Sequence, residues 1–179
     1  MEPDPADRPA DAAEFAERFG AWRRGARKAA RQASVASRTE GGFRGLTAEL
    51  QAEAPGFLTR LVGPEGDARP SAAVAAPASV IDALEQAGII AVDDGEARLI
   101  DPSLPRKWDR LRGWVEGDRR RHQQLHLLIE AARGWEAAGA PARMLWSDAA
   151  VVSEARRMTA ARTDTELAFL DASERLLRR

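Results

Sequence analysis

Cysteine is absent from this 179-residue chain, which excludes disulfides, thiolate metal sites and thiol redox chemistry and fits a reducing cytoplasm. Tyrosine is missing and lysine nearly so. Neither sign of charge dominates: 27 Lys and Arg oppose 28 Asp and Glu, for a net charge of −1 at pH 7. Such a balance excludes a wholesale polyanion binder and leaves room only for a local basic patch. No apolar run approaches the roughly 20 residues that span a bilayer. The acidic opening Met1-Glu-Pro-Asp-Pro5 lacks the basic and apolar regions of a signal peptide. A cytoplasmic protein with no membrane partner is the expectation. Histidine is scarce too, with only His122 and His126, and no Gly-x-Ser-x-Gly occurs, so a nucleophilic hydrolase site has no base and no elbow to use.

What is present is mostly helical periodicity. Residues 1–13 carry prolines and carboxylates but little apolar surface, and are predicted to be a disordered tail. Connecting helices follow over 14–62. Phe15, Phe19, Trp22, Ala26 and Ala30 recur at steps of three and four along one helical face. Arg23, Arg24, Arg27, Lys28 and Arg31 fall mostly off that stripe; the cluster reads as a solvated face, with a nucleic-acid or partner contact as the sharper alternative. Gly41-Gly42 is expected to end this segment, and Pro55 to divide the next two helical pieces, because proline is costly inside a helix. Residues 63–78, rich in Gly, Pro, Ala and Ser, read as a surface loop. The stretch Gly63-Pro-Glu-Gly66 lacks the later glycine followed by Lys and Ser or Thr that a phosphate loop requires.

A winged-helix unit is predicted over 79–118. Ser79 is expected to cap a short helix carrying Val80, Ile81 and Leu84, which Gly88 closes in a left-handed conformation. Two apolar runs, Ile89-Ile-Ala-Val92 and Ala97-Arg-Leu-Ile100, flank Asp93-Asp-Gly-Glu96, a strong hairpin signal that places the hairpin at 89–100. A C-terminal helical bundle is predicted over 119–179. Its stripes run through Leu125, Leu128, Ile129, Ala132 and Trp135, then Leu145, Ala149, Val152 and Ala155, then Leu167, Leu170 and Leu177, and core packing is expected for every tryptophan. The fold class is therefore mainly α: a winged-helix unit with a short β-hairpin packed on a multi-helix bundle.

His122 and His126 stand four apart on a predicted helix, with Asp118 and Glu130 continuing the spacing. This allows a two-His metal half-site, but without an HExxH pattern it reads instead as a solvated polar face. No metal and no cofactor is expected.

The run Arg98-Leu-Ile-Asp-Pro-Ser-Leu-Pro-Arg-Lys-Trp-Asp-Arg-Leu-Arg-Gly-Trp-Val-Glu-Gly-Asp-Arg119 resembles a segment of the novel STAND NTPases of actinobacteria, where a hairpin leads into a helix rich in Trp, Leu and Arg. Leu128-Ile-Glu-Ala-Ala-Arg-Gly-Trp-Glu136, Met144-Leu-Trp-Ser-Asp-Ala-Ala150 and Glu166-Leu-Ala-Phe-Leu-Asp-Ala-Ser173 continue the likeness in order. Upstream, Ala21-Trp-Arg-Arg24, Gly41-Gly-Phe-Arg-Gly45 and Phe57-Leu-Thr-Arg-Leu-Val62 resemble the family's connecting helices. The resemblance implies the winged-helix and helical region that follows the nucleotide-binding core, present without that core, since no segment supplies a phosphate loop or a magnesium-binding strand. The family's histidine after the hairpin, at a nucleotide-sensing position, is Asp101 here and the adjacent glutamate is Pro102, an acidic replacement that repels phosphate. The implied function is a non-catalytic regulatory or interaction module whose partner is a protein, such as a STAND ATPase or an effector in signalling or conflict systems. The alternative is a winged-helix DNA-binding regulator, against which the predicted helix over 80–87 carries Asp82 and Glu85 and no basic residue. A metal enzyme built on Asp118, His122, His126 and Glu130 is the remaining reading.

Overall fold

In a computed structural model, residues 12–158 and 162–178 are described, except that the side chains of residues 12–15 and 28–34 lie outside the description. Most of the tail predicted over 1–13 therefore also lies outside it. The chain opens with one long helix, α1 (Ala12–Arg44), followed by α2 (Ala48–Leu58) and a 3-10 turn, Thr59–Leu61. The Gly41-Gly42 pair does not stop α1, contrary to expectation. A Cβ on Gly42 would sit 2.5 Å from the Ala87 carbonyl oxygen, so this glycine serves close approach to a neighbouring chain segment. Pro55 likewise lies inside α2. The helix runs through it, burying Ala54, Phe57 and Leu58 on one face; that apolar burial offsets the single missing hydrogen bond.

Residues 63–78, expected as a loop, instead supply a strand. β1 (Ser71–Ala72) pairs antiparallel with β3 (Glu96–Leu99), which pairs in turn with β2 (Ile90–Asp93), giving the order β1-β3-β2. Between β1 and β2 lies α3 (Ala78–Gln86). Its N-cap is Pro77, and Ser79 stands inside the first turn without a capping bond. Its C-terminus matches expectation: Gly88 has φ +66°, its N–H reaches the Glu85 carbonyl, and the Ile89 N–H reaches the Leu84 carbonyl, the paired bonds of a Schellman closure. The hairpin turns at Asp94 and Gly95, both with positive φ (49° and 78°), as a two-residue primed turn requires. Helix, strand, helix, hairpin, with the first strand paired to the last, is the winged-helix order.

After the sheet come α4 (Leu104–Lys107), α5 (Asp109–Gly117), α6 (Arg119–Ala137), α7 (Ala149–Arg157) and α8 (Asp164–Leu177). Asp118 caps α6, Asp148 caps α7, and Thr163 and Glu166 form a reciprocal capping box on α8. The buried apolar residues form two clusters. The first joins Phe43 of α1 to α2, the sheet, α3, α4 and Leu111 of α5. The second lies among α6, α7 and α8, centred on Leu128, Phe169 and Leu170. In α8 the buried face runs through Glu166, Phe169, Leu170 and Ser173, while Leu177 is exposed at its edge.

The junction and the exposed helix

Two polar assemblies join the clusters, and neither is a surface feature. His122 and His126 are buried at 6% and 5% exposure, which corrects the solvated face expected for them. Both Nε2 atoms lie on one acceptor, the Val62 carbonyl, at 2.8 and 2.5 Å. A carbonyl oxygen only accepts, and it has two lone pairs, so both Nε2 atoms carry hydrogens and donate. Their mutual distance of 3.2 Å follows from sharing that oxygen. Donation from both Nε2 atoms leaves each neutral ring with only its Nδ1 lone pair. Among the described residues, no group of three or more His, Cys, Asp or Glu side chains could hold one. Burial, the nearby His122 and the cations Arg69 and Arg60 push the His126 pKa down to about 4, against a single raising influence from the Val62 carbonyl.

The second assembly is an ion pair between residues 106 positions apart. Arg60, in the 3-10 turn, donates through both terminal nitrogens to Glu166 of α8 at 3.1 and 2.5 Å, and through Nε to Ser71 Oγ at 3.2 Å. Both side chains are almost fully buried. The same Glu166 carboxylate accepts the Thr163 N–H, so one group caps α8 and neutralises a cation of the first cluster. Sequence reasoning does not single out this pair, because no local pattern ties two residues so far apart.

A third polar group fixes the C-terminal end of α1. Glu40 accepts the Trp108 Nε1–H at 2.8 Å and two Arg110 donors at 3.0 and 2.6 Å. Arg110 first, with Trp108 and Arg44 assisting, holds the Glu40 carboxyl down at about 2 despite partial desolvation. Trp108, Trp114 and Phe43 meet edge-on at centroid separations of 5.3–5.8 Å.

The hairpin-flanking position Asp101 is half-buried, and its Oδ1 accepts the Ser103 N–H at 2.8 Å. Pro102 is exposed beside it. This carboxylate shapes the turn into α4 and presents negative charge there.

The other end of α1 behaves differently. From residue 16 to 27 every side-chain position is exposed apart from the half-buried Gly20. Phe19 is 47% and Trp22 65% exposed, which corrects the expectation that every tryptophan packs in a core. Their rings stack at 5.6 Å with 27° between planes, and the Arg23 guanidinium lies 5.9 Å from the Phe19 ring centre. Arg23, Arg24 and Arg27 are exposed, as a solvated basic face requires. Lys28 and Arg31 lie among the residues whose side chains are not described.

Among the described residues no helix is long and apolar enough to cross a membrane. The model that describes the family Novel STAND NTPase 1 matches residues 29–143, well over half of the chain, from the middle of α1 to the segment before α7. No curated protein and no solved structure matches it significantly.

Proposed function

The chain belongs to the Novel STAND NTPase 1 family, and from that premise we propose that it is the winged-helix and helical region that follows the nucleotide-binding core in such proteins. It works without catalysis of its own, as a cytoplasmic regulatory module that binds a protein partner in a signalling or conflict system. Its working units are the winged-helix frame, which takes in α2 and β1 as well as the residues 79–118 expected for it, the bundle over 119–179 and the long helix α1 before them.

The observation that carries the reading is the exposure of Phe19 and Trp22 in a chain whose other tryptophans are buried or half-buried. A stacked aromatic pair left in water on a helix is the kind of anchor that protein interfaces desolvate. Three further points agree with it. The 179 residues contain no glycine-rich loop ending in Gly-Lys-Ser or Gly-Lys-Thr, so the chain has no phosphate cradle of that kind. At the sensing position Asp101 offers a carboxylate where a phosphate needs a donor. Both histidines are buried, with their Nε2 atoms engaged on the Val62 carbonyl.

A DNA-binding reading draws on the exposed Arg23, Arg24 and Arg27. Against it, the exposed positions of α3 include Asp82, Glu85 and Gln86, and Glu85 is turned back to accept the Val92 N–H at 3.3 Å. A helix that enters a major groove meets phosphates on both sides and is rarely acidic. Equilibrium titration of the protein with magnesium ATP and with labelled duplex DNA tests the assignment. Binding of neither below the millimolar range agrees with it. Tight magnesium-dependent ATP binding removes the non-catalytic reading, and tight salt-dependent duplex binding replaces it with the DNA-binding one.

A further inference from the structure

Beside the histidine pair, a groove of about 640 Å³ runs between the two apolar clusters. Ala52, Pro55 and Thr59 line it at steps of three and four along α2 and the turn after it. Asp118, His122 and Leu125 do the same at the start of α6, so each of these segments turns one face to the groove. Trp114, packed on the first cluster, and Met158, of the second, complete the walls. His122, Leu125 and Met158 are buried, and Pro55 and Trp114 half-buried. His122 makes its hydrogen bonds through Nε2, which lies 2.8 Å from the Val62 carbonyl and 3.2 Å from the Thr59 carbonyl. Two such acceptors fix the hydrogen on Nε2, and the neutral ring keeps its lone pair on Nδ1. No described residue donates to that lone pair. Nor is Nδ1 shut away from solvent without a partner, as Asp67 Oδ1, Ser103 Oγ, Trp135 Nε1 and Arg162 Nε are among the described residues. It is therefore open to the groove that His122 lines. We propose that this groove binds a small uncharged organic molecule, a flat apolar body of one or two rings with one N–H or O–H that donates to His122 Nδ1. The site lies outside the interaction reading above and does not depend on it.

Each part of that description answers an observation. The volume falls within the range of roughly 300–1,000 Å³ usual for small-molecule sites, which pair apolar walls with a few placed polar groups. Pro55, Trp114, Leu125 and Met158 offer such walls, and a ring laid against them releases water that they cannot hydrogen-bond. Water alone would satisfy Nδ1, so the walls select the body of the ligand and the lone pair selects its polar edge. The charged side chains on the lining are Glu53 of α2 with Asp118 and Arg121 at the start of α6, all exposed. Asp118 and Arg121 approach to 3.9 Å, so two carboxylates stand against one guanidinium and an anionic ligand meets net repulsion. Their exposure keeps that selection modest. One wall belongs to each cluster, so a molecule in the groove touches both.

The test is a nuclear magnetic resonance titration of the isotopically labelled full chain with indole and N-methylindole, at about pH 8, where an ordinary histidine is neutral. The two probes share their rings and differ at the donor, and the methylated one is the more apolar, so burial alone favours it. Indole is expected to saturate, to move the His122 Nδ1 resonance, and to bind at least about threefold more tightly than N-methylindole, the worth of one hydrogen bond. Indoleacetate, which adds a carboxylate, is expected to bind more weakly than indole. Ala52→Phe, which sets a ring into the groove from an exposed helix position, abolishes indole binding. Leu127→Phe, at an exposed position of α6 outside the groove, leaves it unchanged. The comparison of the two probes needs only the wild-type chain, so it stands even if Ala52→Phe fails to fold. No saturable binding of indole, equal or tighter binding of N-methylindole, an unmoved His122 Nδ1 resonance, or full indole binding by a folded Ala52→Phe overturns the inference.

Discussion

At the scale of the residue, the buried junction carries the sharpest consequences. His126 is neutral in the fold, with its pKa pushed from 6.5 to about 4 by burial and by His122. As pH falls below 6.5 the unfolded chain takes up a proton that the folded one refuses. Stability is therefore complete above about 6.5 and is lost progressively toward about 4. Melting curves across that window are expected to show a falling midpoint in the wild type and a flatter dependence in His126→Gln, which keeps an amide donor for Val62 without titrating. Glu40, held down at about 2 from 4.5, acts in the next window: its contribution is present above 4.5 and lost as pH drops toward 2. Arg60 and Glu166 form the other sensitive pair. Arg60→Met strands the Glu166 carboxylate in the interior, and a loss of about 3–5 kcal/mol in denaturant unfolding is expected. Adding Glu166→Gln, which removes the stranded charge and still suits the capping box, should recover a large part of it. Neither contact is legible in the sequence. The spacing of His122 and His126 predicts that they share a face, but whether that face meets water or the Val62 carbonyl depends on a segment 60 residues away.

At the scale of the element, the hairpin and α3 are legible because their determinants are local. Asp94-Gly95 supplies two positive φ values, and Gly88 supplies the one that ends α3. β1 is not legible, since two residues show no alternation and Ser71–Ala72 becomes a strand only by pairing with Glu96 and Ala97. Glycines and prolines mislead where tertiary packing overrules their local meaning, as at Gly42 against Ala87 and at Pro55 inside α2. The anchoring of α1 is testable at this scale. Trp108 is 2% exposed and packs against Phe43 and Trp114. Trp108→Ala is expected to cost about 3–5 kcal/mol through the cavity it leaves, whereas Trp108→Phe, which loses chiefly the bond to Glu40, costs about 1 kcal/mol. Gly42→Ala should destabilise as well, because its Cβ meets backbone that cannot swing aside. By contrast, Trp22→Ala is expected to leave the melting midpoint almost unchanged, since a ring 65% exposed contributes little burial to the fold. A large drop would show that this ring packs against the protein's own core.

At the scale of the whole molecule, two apolar clusters are held together by the histidine pair on Val62 and by the Arg60–Glu166 ion pair, with α1 extending a basic, aromatic face from the first. The mainly helical class and the small sheet are legible from periodicity and turn chemistry. The direction in which the α1 stripe faces is not, because a period of 3.6 marks a face for burial without saying against what. The exposure of Phe19 and Trp22 on that face supports the proposal that the protein acts by binding another. The most direct test is affinity capture of the tagged chain from its native cells, with and without nuclease, followed by identification of whatever co-elutes. Specific recovery of a protein that survives nuclease, and that is lost with Phe19→Ala and Trp22→Ala together, is the predicted result. Recovery of nucleic acid, with every co-eluting protein released by nuclease, would contradict it.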